Sequence, residues 1–425
     1  MSRQEASLFG SRWVQRPAHV RELEPTDLPR GFRAAGVATG SNLKAFDVGL
    51  LACDEVSCTS AARFTRNAVI GAPVELCLEE GSLDVLRAVV VNSGNANAAN
   101  GERGIEAARA MRDSAARELG VHPHLVGTAS TGVIGEPLAT DRLLAGIKLA
   151  AAELDSAGGD NFSRAILTTD RGPKRGAVEV KLDGGKAVLS VQTKGAGMIA
   201  PQLSAATTLS FIETDAKVTV ETLNRLLDLA LDRSFNRISV DGQMSTSDSV
   251  FAIASGASGV EVKSDSEAAA FGAALEALLL QMALEIVADG EGATKSTRLI
   301  VDGAHSDEEA QRIARSVADS ALVKTALYGG DVNWGRIVQA AGAAIGSVAT
   351  QRERAYPTLL VEDVVLCERG EAVELVEDQR ERVAMLIKSP ELELTLNLGR
   401  GSCGSEIFFS DLSHDYVSVN SEYAS

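Results

Sequence analysis

Most of the polar side chains in this chain that could do chemistry sit in short, glycine-rich stretches. These are NSGNAN (92–97), STGVIG (130–135), TTD (168–170), KGAGM (194–198), DGEGATK (289–295), GGDVNWGR (329–336) and VNSEYAS (419–425). Hydroxyls, amides and isolated charges dominate them. Any one alone reads as an ordinary turn. Together they predict a polar site assembled from several loops, because binding and catalytic groups concentrate on loops carried by a rigid scaffold.

Other chemistries lack their signatures. There is no G-x-x-x-x-G-K-[ST] loop and no G-x-S-x-G. GRGSCG (399–404) has the letters of a dinucleotide fingerprint but runs into another apolar strand pattern rather than a helix. His19, His122, His124, His305 and His414 lack zinc spacing, and His122 and His124 flank Pro123 in a surface turn. The cysteines (53, 58, 77, 367 and 403) form no C-x-x-C pair, which predicts reduced, mostly buried thiols in a cytoplasmic protein.

A hydroxyl nucleophile needs a base. Without a suitable histidine, either a lysine or an α-amino group must serve. An α-amine titrates near ~8 and needs little adjustment, but the nucleophile must first become an N-terminus. The stretch KGAGMIAPQLSAATTLSFIETDA (194–216) offers a place for that. It joins a lone lysine, a run of small residues and a strand-like apolar segment. The Ala-Thr bond in the small-residue run is a candidate for self-cleavage by an N-to-O acyl shift.

Bulk composition narrows the partners. Hydrophobic residues are 45% and charged residues 23%, ordinary for a globular protein. Aromatics are only 4% and glycines number 39, so the core must rest on Ala, Val, Leu and Ile. A net charge of −17 argues against nucleic acid or anionic membrane as partner; it suits solubility and tolerates small cationic ligands. No apolar run is read as a membrane span of ~20 residues.

The elements that must hold these loops follow from periodicity. The first ~30 residues, with Pro17, Pro25 and Pro29, read as a loosely held arm. Residues 44–51, 74–78 and 87–91 read as strands. Residues 103–119 and 140–154 read as helices, the second capped by Thr140, and GTASTGVIGE between them is too glycine-rich for regular structure. GAVEVKL-DGG-KAVLSVQ predicts a hairpin leading into Lys194. Helices at 220–232 and 267–288 bracket a strand pair, RISV and SVFAIAS, around DGQMSTSD. Ser306 and Glu309 form a capping-box pattern ahead of a helix at 307–319, and the tail alternates strands with loops. The expected fold is α+β: layered mixed sheets flanked by helices, with a smaller C-terminal α/β unit from about residue 300.

In this order, the motifs NSGNANA, STGVIG, LTTD, KGAGMI, ATTLSFIETDA, DGEGATK, VKTALYGGDVNWGRI and NSEYAS resemble the ornithine acetyltransferase family, also called glutamate N-acetyltransferase or the bifunctional arginine-biosynthesis acetyltransferase. The resemblance covers the chain from about residue 30 to Ser425. It implies an N-terminal-threonine enzyme that cuts itself between Ala206 and Thr207, giving an alpha chain 1–206 and a beta chain 207–425. It also implies acetyl transfer from N-acetylornithine to glutamate through an acetyl-Thr207 intermediate, within arginine biosynthesis.

Carried over to matching positions, Thr131 and Gly132 would form an oxyanion hole. Thr168, Lys194, Thr207, Glu291, Asn420 and Ser425 would bind substrate. No metal or bound cofactor is implied. Acetyl-CoA is a possible co-substrate, since some members accept it, and the paired chains would assemble as a heterotetramer or larger. Two departures stand out. The link PQLSAAT is two residues longer than the family's P-N-M-A-T, and Ala98-Ala99-Asn100 replaces a usual Cys-Thr pair. The competing readings are a self-processing amidohydrolase or aminopeptidase on a small N-acyl substrate, and an unprocessed, non-catalytic homologue.

Overall fold

The computed structural model describes residues 7–40, 46–200, 208–348 and 354–422. Ala206, Thr207 and Ser425 lie outside them. The chain opens with β1 (Val20–Glu22), β2 (Phe32–Val37), β3 (Val48–Cys53), β4 (Thr59–Phe64), α1 (Ala72–Glu80), β5 (Ala88–Asn95) and α2 (Gly101–Leu119). It continues through β6 (Val126–Val133), α3 (Thr140–Ala152), α4 (Gly159–Ala165), β7 (Lys174–Leu182), β8 (Gly185–Lys194), β9 (Leu209–Thr214) and α5 (Val220–Asp232). Next come β10 (Ile238–Ser239), β11 (Ser249–Ala254), α6 (Asp265–Ala288), β12 (Ser296–Ala304), α7 (Asp307–Ala318), α8 (Ala321–Tyr328) and α9 (Trp334–Gly346). The remainder is β13 (Thr358–Val361), β14 (Val364–Glu368), β15 (Glu371–Ala372), α10 (Glu377–Leu386), β16 (Glu391–Asn397), β17 (Cys403–Ser410) and α11 (His414–Glu422).

Two mixed sheets face each other. One runs β1-β7-β8-β9-β11-β4, the other β2-β3-β5-β6. Alternating residues decide which side each strand covers. Leu209, Phe211, Phe251 and Ile253 of the first sheet meet Leu51, Val89, Val91 and Ala129 of the second in an apolar interior. On the outer face of the first sheet, Ile212, Val250 and Ala252 pack against Leu226, Leu227, Phe271 and Leu278 of α5 and α6. On the outer face of the second, Leu50 and Val90 pack against Met111, Ala115, Leu143 and Ile147 of α2 and α3. The result is four layers, helix, sheet, sheet, helix. β9 is buried along its whole length because both its faces are covered. A third sheet, β10-β17-β12-β16-β13-β14-β15, has its own core with α7 and α9, through Leu299, Leu394, Ile313 and Ile337. The fold is α+β with layered mixed sheets, as the element pattern implies.

Several local expectations are corrected. VELCL lies in α1, not a strand; Pro73 pre-sets the first helical turn and Val74 and Cys77 turn inward together. GTASTGVIGE contributes β6, whose small residues are kept extended by parallel pairing with β5. Residues 7–30 are not a loose arm: Leu8, Phe9, Trp13 and Val14 pack on the core, and β1 pairs with β7. RISV and SVFAIAS do not pair; β10 joins β17, and β11 joins β4 and β9. Thr140 is the first helical residue behind an Ala139 cap. Ser306 caps α7 through the Glu309 N–H, but the Glu309 carboxylate answers His305 N–H rather than that of Ser306. α6 is long and apolar enough to cross a membrane by length and composition, contrary to expectation, and most of that stretch is buried as the central core helix.

Candidate functional site

The ends of β5 and β6 supply the first wall. Their parallel register sets Ser93 beside Thr131 and Gly94 beside Gly132. Gly132 has φ +132°, and a Cβ there would lie 2.3 Å from the Gly94 carbonyl carbon, so only glycine lets the strands close. Asn92 braces this corner: its amide donates to Asn95 O at 2.9 Å, and it accepts from Ser130 Oγ at 2.5 Å.

Lys194 ends β8 and is 7% exposed. Its ammonium donates to Thr168 Oγ1 at 2.6 Å and Thr131 Oγ1 at 3.3 Å, with Asp170 Oδ2 3.9 Å away. Burial pushes this amine below the usual lysine range, and Asp170 opposes that fall. Asp170 is the hub. It accepts from Gly195 N–H at 2.7 Å, from Thr168 N–H at 3.1 Å and from Lys174 Nζ at 2.7 Å. Burial works against its charge, but Lys194 and Lys174 prevail and hold it well below the normal carboxylate range. Lys174 reaches on to Asp289 Oδ2 at 2.5 Å, the residue that closes α6.

Two residues beyond Asp289, Glu291 donates its N–H to Ala196 O at 2.9 Å and accepts from Asn420 Nδ2 at 2.7 Å. A Cβ at Gly197 would come within 2.4 Å of the Glu291 carboxyl carbon, so a side chain there would displace that carboxylate. α11 thus brings Asn420 back to the turn after α6. Upstream of the small-residue link, Asp241 receives the amides of Met198 and Ile199 at 2.6 and 2.8 Å. The Tyr416 hydroxyl donates to the same carboxylate at 3.4 Å.

These groups enclose a cavity of about 150 Å³. Thr131, Gly132, Thr168, Lys194, Glu291 and Asn420 all line it, with Ala96, Met198 and Thr208. All of the sequence-predicted site residues that are described therefore meet at one place. Thr208 is buried, and its hydroxyl donates to Lys194 O and lies 3.0 Å from Thr193 Oγ1. GGDVNWGR does not take part: it begins α9, and Trp334 packs on the third sheet's core. A larger groove of about 710 Å³ between α7 and β17 mixes arginines with carboxylates, and none of the predicted site residues reaches it.

Two residues escaped the sequence reading. Asp170 was visible only as the third letter of TTD. Asp248 closes a wall formed by Ser245, Thr246 and Ser247, from the DGQMSTSD loop between β10 and β11. The density of Ser, Thr and Asp between two strands was the available signal.

A four-layer α+β scaffold that converges a buried lysine, several hydroxyls and a carboxylate–amide pair on one cavity is the frame of a small-molecule enzyme. This chain belongs to the ArgJ family, whose profile matches residues 33–425. It is 41% identical over 400 residues to the arginine biosynthesis bifunctional protein ArgJ of Symbiobacterium thermophilum, covering 93% of this chain and 97% of that one. Identity to the protein of the same name from Nitratidesulfovibrio vulgaris is 42% over 398 residues, covering 93% and 99%. A solved structure of ornithine acetyltransferase complexed with ornithine, from Mycobacterium tuberculosis, is 36% identical. It covers 44% of this chain and 100% of that chain, with a TM-score of 0.41.

Proposed function

We propose that this chain transfers an acetyl group from N-acetylornithine to glutamate, with Thr207 as nucleophile after cleavage from Ala206. The alpha chain is then 1–206 and the beta chain 207–425, with a C-terminal subdomain from about residue 300 that carries all of the third sheet except β10 and the start of β12. The observation that carries this reading is the meeting of Lys194, Thr131 and Thr168 with the Glu291–Asn420 pair around one cavity beside Thr208.

In the first half-reaction the Thr207 hydroxyl adds to the acetyl carbonyl while its own α-amine takes the proton. The Thr131 hydroxyl and Gly132 N–H stabilise the oxyanion, and that proton leaves with the ornithine amine. In the second half-reaction the glutamate α-amine attacks acetyl-Thr207 and the steps reverse. Lys194, Thr168, Asn420 and Ser425 hold the carboxylate and polar groups of the substrates, and Glu291 favours the cationic ornithine side chain. Acetyl-CoA is a second donor to be assayed. The paired chains assemble as an oligomer in the cytoplasm.

A denaturing gel with mass measurement of the fragments tests the cut at Ala206–Thr207. An assay with N-acetylornithine and glutamate tests transfer. Formation of N-acetylglutamate supports the proposal, and free acetate without it identifies a hydrolase instead.

A further inference from the structure

The groove between α7 and β17 plays no part in acetyl transfer, yet it leaves two of its cations without anionic partners. It encloses about 710 Å³, ample for a small organic molecule. Four guanidiniums line it. Arg66 follows β4, Arg237 closes the short turn after α5, and Arg312 and Arg315 stand three residues apart on one face of α7.

The carboxylates that share the groove are already committed. Glu406 of β17 holds Arg298 at 2.6 Å, Asp232 lies 3.6 Å from Arg237, and Asp319 accepts from the Ser239 hydroxyl. Glu308 stands in the first turn of α7, where its own N–H and the Ser306 hydroxyl hold its carboxyl below the usual range. It does not reach Arg312 one turn on. Among the described residues, Arg66 and Arg312 form no ion pair, and Arg312 donates only to Ala344 O, at 3.4 Å. Behind them, burial pulls the Arg315 guanidinium below its ordinary value, and Asp319 only partly opposes this.

We propose that this groove binds a compact organic polyanion, bearing two or more carboxylate or phosphate groups, with Arg66 and Arg312 as its clamps. A guanidinium presents a planar fork of N–H donors that fits either group bidentately. A single anionic group would satisfy one clamp and leave the other bare, so the ligand carries at least two. Ser316, Ser405 and Gln311 add neutral hydrogen-bonding groups around them. This site is independent of the acetyl-transfer reading, because none of the groups assigned to that chemistry lines the groove.

Calorimetric titration of the full chain with citrate and with inorganic pyrophosphate, at constant ionic strength and with thermal melts alongside, tests the site. One saturable event is expected with at least one probe, and the melting temperature should climb as that probe exceeds its Kd. The tighter probe tells carboxylate from phosphate chemistry. Arg66→Gln and Arg312→Gln should each weaken binding about tenfold or more, as loss of hydrogen bonds to a charged group does. Arg66 is exposed, so Arg66→Gln keeps the test readable if Arg312→Gln fails to melt cooperatively. Lys194→Met, which alters only the catalytic cavity, should bind the probes as wild type does. The assignment is overturned if neither probe binds more tightly than about 1 mM. Wild-type affinity in Arg66→Gln or in folded Arg312→Gln, or loss of binding in Lys194→Met, overturns it equally.

Discussion

The Lys194 ammonium donates to the Thr168 hydroxyl across 2.6 Å, joining the end of β8 to the turn after α4. Asp170 sits behind both, bonded to the N–H of Thr168 and of Gly195. One buried anion thereby fixes the position of the site's cation and favours its charged form.

Asp170→Asn should leave that cation held mainly by neutral groups. Burial and Lys174 both disfavour the charge on Lys194, so it would lose its proton at lower pH. The alkaline limb of kcat/KM should move to lower pH, costing about tenfold in activity above the limb per unit moved. Asp170→Glu should restore part of it. An unmoved limb would show that Lys194 is not the group titrating.

Removing one partner of the Glu291–Asn420 contact should appear in KM. Asn420→Ala deletes a charge-assisted hydrogen bond, and such bonds contribute roughly 1.5–3 kcal/mol. KM for N-acetylornithine should rise about tenfold or more. Glu291→Gln should weaken the cationic donor more than the anionic acceptor, measured by varying each substrate in turn.

Gly132→Ala should abolish activity and lower the melting temperature. The added Cβ meets the Gly94 carbonyl carbon at 2.3 Å, and φ +132° is strained for alanine. Thr131→Ala, which needs no backbone shift, should keep its melt and lose roughly 10²–10³ in kcat, as loss of one oxyanion donor does. A normal rate in Thr131→Ala would remove the oxyanion role.

Glu213 provides a stability test remote from the cavity. It is fully buried in β9, accepts from Ser190 Oγ at 2.6 Å, and burial pushes its carboxyl up to about 8. The folded chain therefore holds a proton that the unfolded chain, titrating near ~4.3, gives up. Its contribution is fully present below that value and is lost as pH rises through about 8. Glu213→Gln should remove this loss, with a gain on the order of 5 kcal/mol at high pH and little at pH 4. Thermal melts from pH 4 to 9 would show the two curves separating upward. Parallel curves would mean that Glu213 stays ionised in the fold.

How legible was this in the sequence? Helices with a long one-sided stripe, such as α2 and α5, fell where their periodicity placed them, as did α6 through its long, mostly apolar run and the β7–β8 hairpin with its local turn. Failures share a cause: the deciding contact is distant in sequence. β6 reads as a glycine loop until β5 lies beside it. RISV and SVFAIAS look like partners because they are close in the chain, yet different sheets claim them. VELCL is too short for its periodicity to decide, and its helix was signalled only by Pro73. In the site, loops with glycine and hydroxyl clusters were visible. Asp170 and Asp248 were not, because nothing in a sequence says which aspartate will be buried against a lysine.

The six-stranded sheet has the order β1-β7-β8-β9-β11-β4. Read as the two products of a cut after Ala206, the order is alpha, alpha, alpha, beta, beta, alpha. The beta strands are flanked on both sides by the other product, and β8 and β9 are hydrogen-bonded neighbours across the cut. Scission would thus turn a folded core into a subunit interface without moving a strand. The halves would elute as one particle from a sizing column, and neither could be expected to fold when made alone.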